Sequence, residues 1–314
     1  MRFLGALGLY IVTVFIGGAL AAPWLHSIVQ WGAEQFAPLE GLAYQPFHRY
    51  VNRCFMVLAV VGLWPVAKFA QLTLKDAGWE RRAEQWKMLR TGLLVGFVTL
   101  AIPAVVCVVV GGRDLRMPDS FGILAKHFGN AIGAAILVSL LEEAVFRGVV
   151  FGVLRKAGSF ALAVGLSSGI YALVHFFERS RHEGDVVWSS GLALFPKMLR
   201  GFAEWDMIVP GFFSLTVAGV ILAVAVRSTG NLFFSIGVHA GWIFWLKTFK
   251  FFTHGAEDSH AWIWGTGKLI DGWMAFVVLL VTLGYLRKKS FFTTGENGRG
   301  EQAEVNSGED RGSG

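Results

Sequence analysis

SLLEEAVFRGVVF, residues 139–151, places two adjacent carboxylates and an arginine in the middle of an otherwise apolar segment. Charge there has to be explained by the surroundings. The chain has 314 residues, of which 54% are hydrophobic and only 16% charged, with 27 Phe and 12 Trp. Ordinary soluble domains carry about 25% charged residues and lack apolar runs of about 20 residues. The composition therefore identifies an integral membrane protein, and the charges at 142, 143 and 147 lie within a spanning segment.

Apolar stretches of spanning length occur near 3–24, 54–74, 90–111, 130–153, 158–177, 208–227, 231–249 and 270–286. They predict an all-α, polytopic transmembrane helical bundle of about eight spanning helices. The net charge of +6 is distributed between these runs, as Lys75, Arg81, Arg82, Lys87 and Arg90, then Arg155 and Lys156, then Arg287, Lys288 and Lys289. That placement follows the bias of basic residues toward cytoplasmic loops. It predicts a multi-pass protein of the cell (inner) membrane with both termini cytoplasmic. No basic-aromatic nucleic-acid motif accompanies the charge, so the expected partners are the lipid bilayer and a membrane protein or peptide, with no nucleic acid.

Three regions are expected: N-terminal transmembrane helices with an amphipathic interfacial segment over 1–125, a core over 126–289, and a disordered cytoplasmic tail over 290–314. The first helix is expected to be retained rather than cleaved as a signal peptide, because its apolar stretch exceeds the usual signal core. DAGWERRAEQWKMLR (76–90) alternates charge with Trp79 and Trp86 and reads as a helix lying on the membrane surface. The long 178–206 connection, with LALFPKMLRGF, reads as re-entrant or interfacial in part. Asn231 is expected to cap the seventh segment. The tail is rich in Gly, Glu, Ser and Asn and cannot bury enough apolar surface to fold. Cys54 and Cys107 both fall in apolar runs, so neither a disulfide framework nor a CxxC site is available.

An ionisable side chain at the centre of a spanning helix costs about 2.5–3.5 kcal/mol on insertion scales, and such residues default to function. Glu143 and Arg147 are one helical turn apart and share a face, whereas Glu142 lies about 140° from Arg147 around the axis. This spacing predicts that Arg147 neutralises Glu143 and leaves Glu142 facing a cavity. A structural Glu-Arg pair pinning two helices is the simpler reading, but it leaves the second carboxylate unexplained. His175 (SSGIYALVHFF) and His239 (NLFFSIGVHAGWIF) add two groups within the apolar segments that, like Glu, move protons near neutral pH.

The ordered set EEAVFRG (142–148), YALVH (171–175) and GVHAGWI (237–243) resembles the signatures EExxxR, FxxxH and HxxxN or HxxxD of the CPBP family. That family groups type II CAAX prenyl endopeptidases with bacteriocin-processing and immunity proteins. The resemblance covers roughly 130–250, and its most specific part is the first motif with its continuation into GVVFG. It implies an intramembrane glutamate protease in which Glu142 and His175 activate a water in a cavity facing the cytoplasm, and His239 stabilises the oxyanion. Glu143, Arg147, Tyr171 and Ile243 fall at supporting positions.

Two departures stand out. Tyr171 replaces the Phe of the second motif, and Ile243 replaces the Asn or Asp of the third. Loss of an oxyanion donor costs on the order of 10²–10³ in rate, so the alternative is a catalytically impaired relative acting as a membrane binding, scaffold or immunity protein. No metal or other cofactor is expected. Zinc held by Glu142, Glu143, His175 and His239 is the weaker alternative, since there is no HExxH and Glu143 is claimed by Arg147. A proton-coupled transporter lacks support from any internal repeat.

Overall fold

Helix α1 (Arg2–Gln35) is 34 residues long and contains a π-helical turn at Thr13–Gly17. The structure, a computed structural model, describes residues 2–80, 83–178, 180–203, 205–255 and 260–288. The tail expected over 290–314 and the Arg81-Arg82 pair lie outside the described residues. After α1 come α2 (Phe47–Phe69) and α3 (Gln85–Val109). A rod follows, formed by α4 (Phe121–Glu143), a π-helical stretch (Ala144–Val150) and α5 (Phe151–Ala157). The chain continues as α6 (Phe160–Val174), α7 (Trp205–Thr229), α8 (Leu232–Phe252) and α9 (Trp273–Lys288). The small ladder of β1 (Arg113–Leu115) and β2 (Thr253–Gly255) ties the end of α3 to the end of α8, with Arg113 Nε donating to Thr253 Oγ1 at 2.9 Å.

The fold is a helical membrane bundle. Large apolar side chains such as Leu9, Val61, Leu94, Val105, Ile136 and Val281 point outward and are exposed, an arrangement that bilayer tails accommodate and water would not. Among the described residues, five helices are long and apolar enough to cross a membrane: Arg2–Gln35, Phe47–Phe69, Gln85–Val109, Ile208–Thr229 and Leu232–Phe252. The other three expected segments are helical too. The fourth falls in the charged rod from α4 to α5, while α6 and α9 have 15 and 16 residues.

Helix α8 is the axis of the bundle, with α3, α4 and α7 packed around it. Gly92 and Gly96 of α3 meet Gly237 and Gly241 of α8 backbone to backbone. A methyl group on Gly92 would overlap the Phe234 carbonyl, one on Gly96 the Val238 carbonyl, and one on Gly237 the Leu89 carbonyl. Small residues spaced by four let two helices approach this closely within a membrane. In the GVVFG stretch, by contrast, Gly148 and Gly152 face Ala77 and Leu72 at ordinary or slightly tight distances.

Side chains define the helix starts. Asn231 Oδ1 accepts from the Phe233 amide at 2.7 Å, Ser120 from Ile123 and Ser159 from Leu162. Asn231 also donates through Nδ2 to the Glu80 carbonyl at 2.8 Å, and the Leu232 amide donates to the Gly78 carbonyl at 2.9 Å.

These bonds account for a correction. The surface helix expected from residue 76 does not form over the described residues of 76–84, which run in turns and irregular chain, and helix begins at Gln85, as the start of α3. Gly78 adopts a left-handed φ of 74°, and carbonyls that would continue a helix are committed to the start of α8. Asp76 closes the turn by accepting from the amide and hydroxyl of Thr73 at 2.9 Å, and the Thr73 amide holds its carboxyl below the ordinary range.

The 178–206 connection forms two one-turn helices, Ser190–Ala193 and Phe195–Met198. They fold back on α1 and α2: Gly191 sits against the Ala19 carbonyl, while Leu194 and Met198 join Tyr50 and Val51 in one buried cluster.

Gly96→Ala is expected to cost about 1–3 kcal/mol or more, because a rigid backbone rather than a flexible side chain must yield. Gly133→Ala, with no atom within 4 Å of the added carbon, is the matched control. Thermal unfolding in detergent should show a drop for the first and none for the second; equal melting would remove the α3–α8 crossing as a constraint.

Candidate functional site

The rod from α4 to α5 carries Glu142 and Glu143 at the end of its α-helical part and Arg147 in the π-helical stretch. A π turn inserts an extra residue into the helical repeat and is often found at functional positions. Arg147 Nη1 lies 3.1 Å from Glu143 Oε1, and both side chains are buried, at 2% and 0% accessibility. Two further elements close around the pair. Tyr171 of α6 places its ring 4.4 Å beneath the Arg147 guanidinium, and His239 of α8 brings Nδ1 to 3.0 Å from Glu143 Oε1.

Glu142 points the other way around the helix. Its side chain is 26% accessible, and Oε2 lies 3.8 Å from His175 Nε2 and 3.7 Å from His239 Nε2. Both distances exceed a direct hydrogen bond and suit a small molecule such as water bridging the groups. Among the described residues, Oε2 accepts no hydrogen bond from the protein.

The far side of each imidazole fixes its near side. His175 Nδ1 lies 2.7 Å from the Tyr171 carbonyl oxygen, which can only accept, so the proton of a neutral ring is on Nδ1 and Nε2 is bare. His239 Nδ1 donates to Glu143, an arginine-paired carboxylate, by the same reasoning. Its Nε2 is 3.3 Å from the Tyr171 hydroxyl, which donates to it. One bare ring nitrogen, of His175, a second that accepts from Tyr171, and a carboxylate oxygen thus lie close together. Such a set of acceptors can take a proton from a molecule held between them.

His175 caps the 15-residue helix α6, so the site lies about 22 Å along that helix from its start beside Arg155 and Lys156. The site is thus at the opposite end of that helix from the basic turn. His175 and Glu142 are its accessible members, while His239, Tyr171, Glu143 and Arg147 form the buried wall behind them.

Ile243 lies one turn beyond His239, buried in an apolar cluster with Ala135 and Ala240 and packed by Val138 and Phe244. It presents no polar group. Asn231 and Ser235, polar residues at the start of α8, are committed elsewhere: Asn231 to its cap and Ser235 Oγ to the Leu232 carbonyl at 2.9 Å. The hydrogen bond between Glu143 and His239 and the double attachment of Tyr171 were not legible from the motifs. The one local signal was the four-residue step from Tyr171 to His175, which puts a histidine ring within reach of a carbonyl one turn back.

Residues 125–245 match the family model of the Type II CAAX prenyl endopeptidase Rce1-like proteins. The match supports assigning this segment to the CPBP family. It extends from α4 into α8 and contains all seven site residues. No curated protein and no solved structure matches the chain. Within the CPBP segment, each of the three motifs contributes a side chain within 4 Å of Glu142 or Glu143.

Removing one partner of a buried ion pair leaves an uncompensated charge. Arg147→Met is expected to cost about 3–5 kcal/mol, read as a lower melting temperature and a reduced level in membranes. Adding Glu143→Gln should recover part of that loss. If Arg147→Met alone melts like the wild type, the pair does not hold the site together.

Proposed function

We propose that the protein is an intramembrane endopeptidase that hydrolyses a peptide bond in a membrane-associated peptide or protein. The observation that carries the reading is the convergence of Glu142 Oε2 with the Nε2 atoms of His175 and His239 at 3.8 and 3.7 Å. Glu142 is the general base and His175 its proton partner. Water held between them attacks the carbonyl carbon as a proton passes to Glu142. His239, expected to stabilise the oxyanion, lies on the side on which it forms, with its Nδ1 engaged by Glu143. When the C–N bond breaks, the proton on Glu142 goes to the leaving amine. Glu143 and Arg147 keep His239 in place without touching substrate.

The proposed chemistry uses no metal, a reading supported by the engagement of Glu143, which would be a third ligand, with Arg147 and His239. The basic clusters support placement in the cell membrane with cytoplasmic termini.

A second reading, favoured by the apolar surroundings of Ile243, is a non-hydrolytic relative whose cavity binds a peptide, lipid or membrane protein.

Glu142→Gln is nearly isosteric and separates the two. New protein termini in membranes from cells with the wild-type protein, absent with Glu142→Gln at matched expression, are the expected result and would also identify substrates. Identical termini under several growth conditions would leave the binding reading. Loss of the wild-type termini in purified membranes on chelation with 1,10-phenanthroline would reinstate zinc.

A further inference from the structure

Hydrolysis by Glu142 and His175, on which this inference rests, also needs a hydrogen-bond donor for the charge that gathers on the substrate carbonyl oxygen. Most donors around the site are turned elsewhere, Arg147 toward Glu143. Ile243 has none. The Nδ1–H of His239 goes to Glu143, which leaves Nε2 as an acceptor while the ring is neutral. Ser235 and Asn231 are committed along α8. One hydrogen does point at the site, that of the Tyr171 hydroxyl, 3.3 Å from the same His239 Nε2 that lies 3.7 Å from Glu142 Oε2.

We propose that the Tyr171 hydroxyl is a catalytic residue: the oxyanion donor of this enzyme, in place of the side chain missing at position 243. His239 Nε2 holds the hydroxyl ready in the resting site. As water oxygen bonds to the carbonyl carbon and Glu142 takes its proton, the carbonyl π pair moves onto oxygen. The Tyr171 O–H then turns from Nε2 to that oxygen. On collapse the C–N bond breaks, the proton on Glu142 passes to the amine, and the hydroxyl returns to His239. Tyr171 neither gains nor loses a proton.

The ring is fixed for this task. Arg147 lies over its face, Phe146 packs edge-on at 5.2 Å between ring centres, and the His175 ring sits 4.5 Å away. Its own carbonyl sets the tautomer of His175, so a single residue prepares both the base side and the oxyanion side. The Phe of the FxxxH pattern has no hydroxyl, and in this chain the hydroxyl occurs together with the apolar residue at 243. Trp242 is the rival donor: its indole N–H has no protein partner among the described residues and its ring centre is 6.4 Å from His239.

The test follows the rate at which wild-type-specific membrane termini appear after induction of the full-length protein, alongside thermal melting of each purified variant. Tyr171→Phe should slow cleavage by about 10²–10³ with an unchanged melting temperature, and the same substitution should cost far less in an Ile243→Asn background, where a second donor is supplied. Trp242→Phe should cleave at the wild-type rate. The proposal is overturned if Tyr171→Phe stays within about threefold of wild type on a scale where one lost donor costs 10²–10³, if its cost is the same with Ile243 and Asn at 243, or if Trp242→Phe carries the loss. Should Tyr171→Phe unfold, 3,5-difluorotyrosine at 171 keeps shape and hydroxyl while making the phenol a stronger hydrogen-bond donor; the cleavage rate must then change at an unchanged melting temperature, and an unchanged rate overturns the proposal. Glu142→Gln run in parallel separates this failure from failure of the peptidase reading, since only the latter leaves the termini intact without Glu142.

Discussion

A carboxylate cannot remain ionised in a bilayer interior unless the protein supplies what water would have supplied. Glu143 is fully buried, and Arg147 on its own helix and His239 from across the bundle provide that compensation. The rod from α4 to α5, helix α6 through the tyrosine under the arginine, and helix α8 through the histidine are thereby drawn to one point. The orientation of Glu142 is a consequence: with its neighbour turned inward, the adjacent position is rotated by about 100° around the helix, to the more accessible side where His175 and the other edge of His239 meet it.

Placing His239 within hydrogen-bonding distance of Glu143 requires α8 to be fixed both along and around its axis. The glycine crossing with α3 sets the depth of approach, because backbone meets backbone and little can compress. The cap by Asn231 and the carbonyls of Gly78 and Glu80 hold the start of the helix. The turn before α3 therefore serves the site indirectly. Its residues have the composition of a surface helix, yet their carbonyls are more valuable as acceptors for the unsatisfied amides of α8 than as links in a helix of their own.

Tyr171 shows how much a single position can join. Its ring receives a cation, its hydroxyl meets one histidine and its carbonyl meets the other. These contacts use three different parts of one residue, and the hydroxyl is the part that phenylalanine lacks. A motif that records aromatic character at this position registers the ring and is blind to the hydroxyl.

The amino-acid sequence alone determined that this is a helical membrane protein, that its charges at 142, 143 and 147 stand within an apolar segment, that Arg147 shares a face with Glu143, and that Asn231 starts a helix. Each depends on composition or on the local periodicity of a helix, which a chain carries with it wherever it folds. Only the tertiary structure decided that His239 bonds Glu143, that Tyr171 touches both histidines, that Ile243 is enclosed by α4, and that residues 76–80 turn rather than coil. Those outcomes depend on which backbone or side-chain partner, often more than sixty residues away as with Tyr171 and His239, offers a buried polar group its best satisfaction, and that competition is settled only when the helices pack.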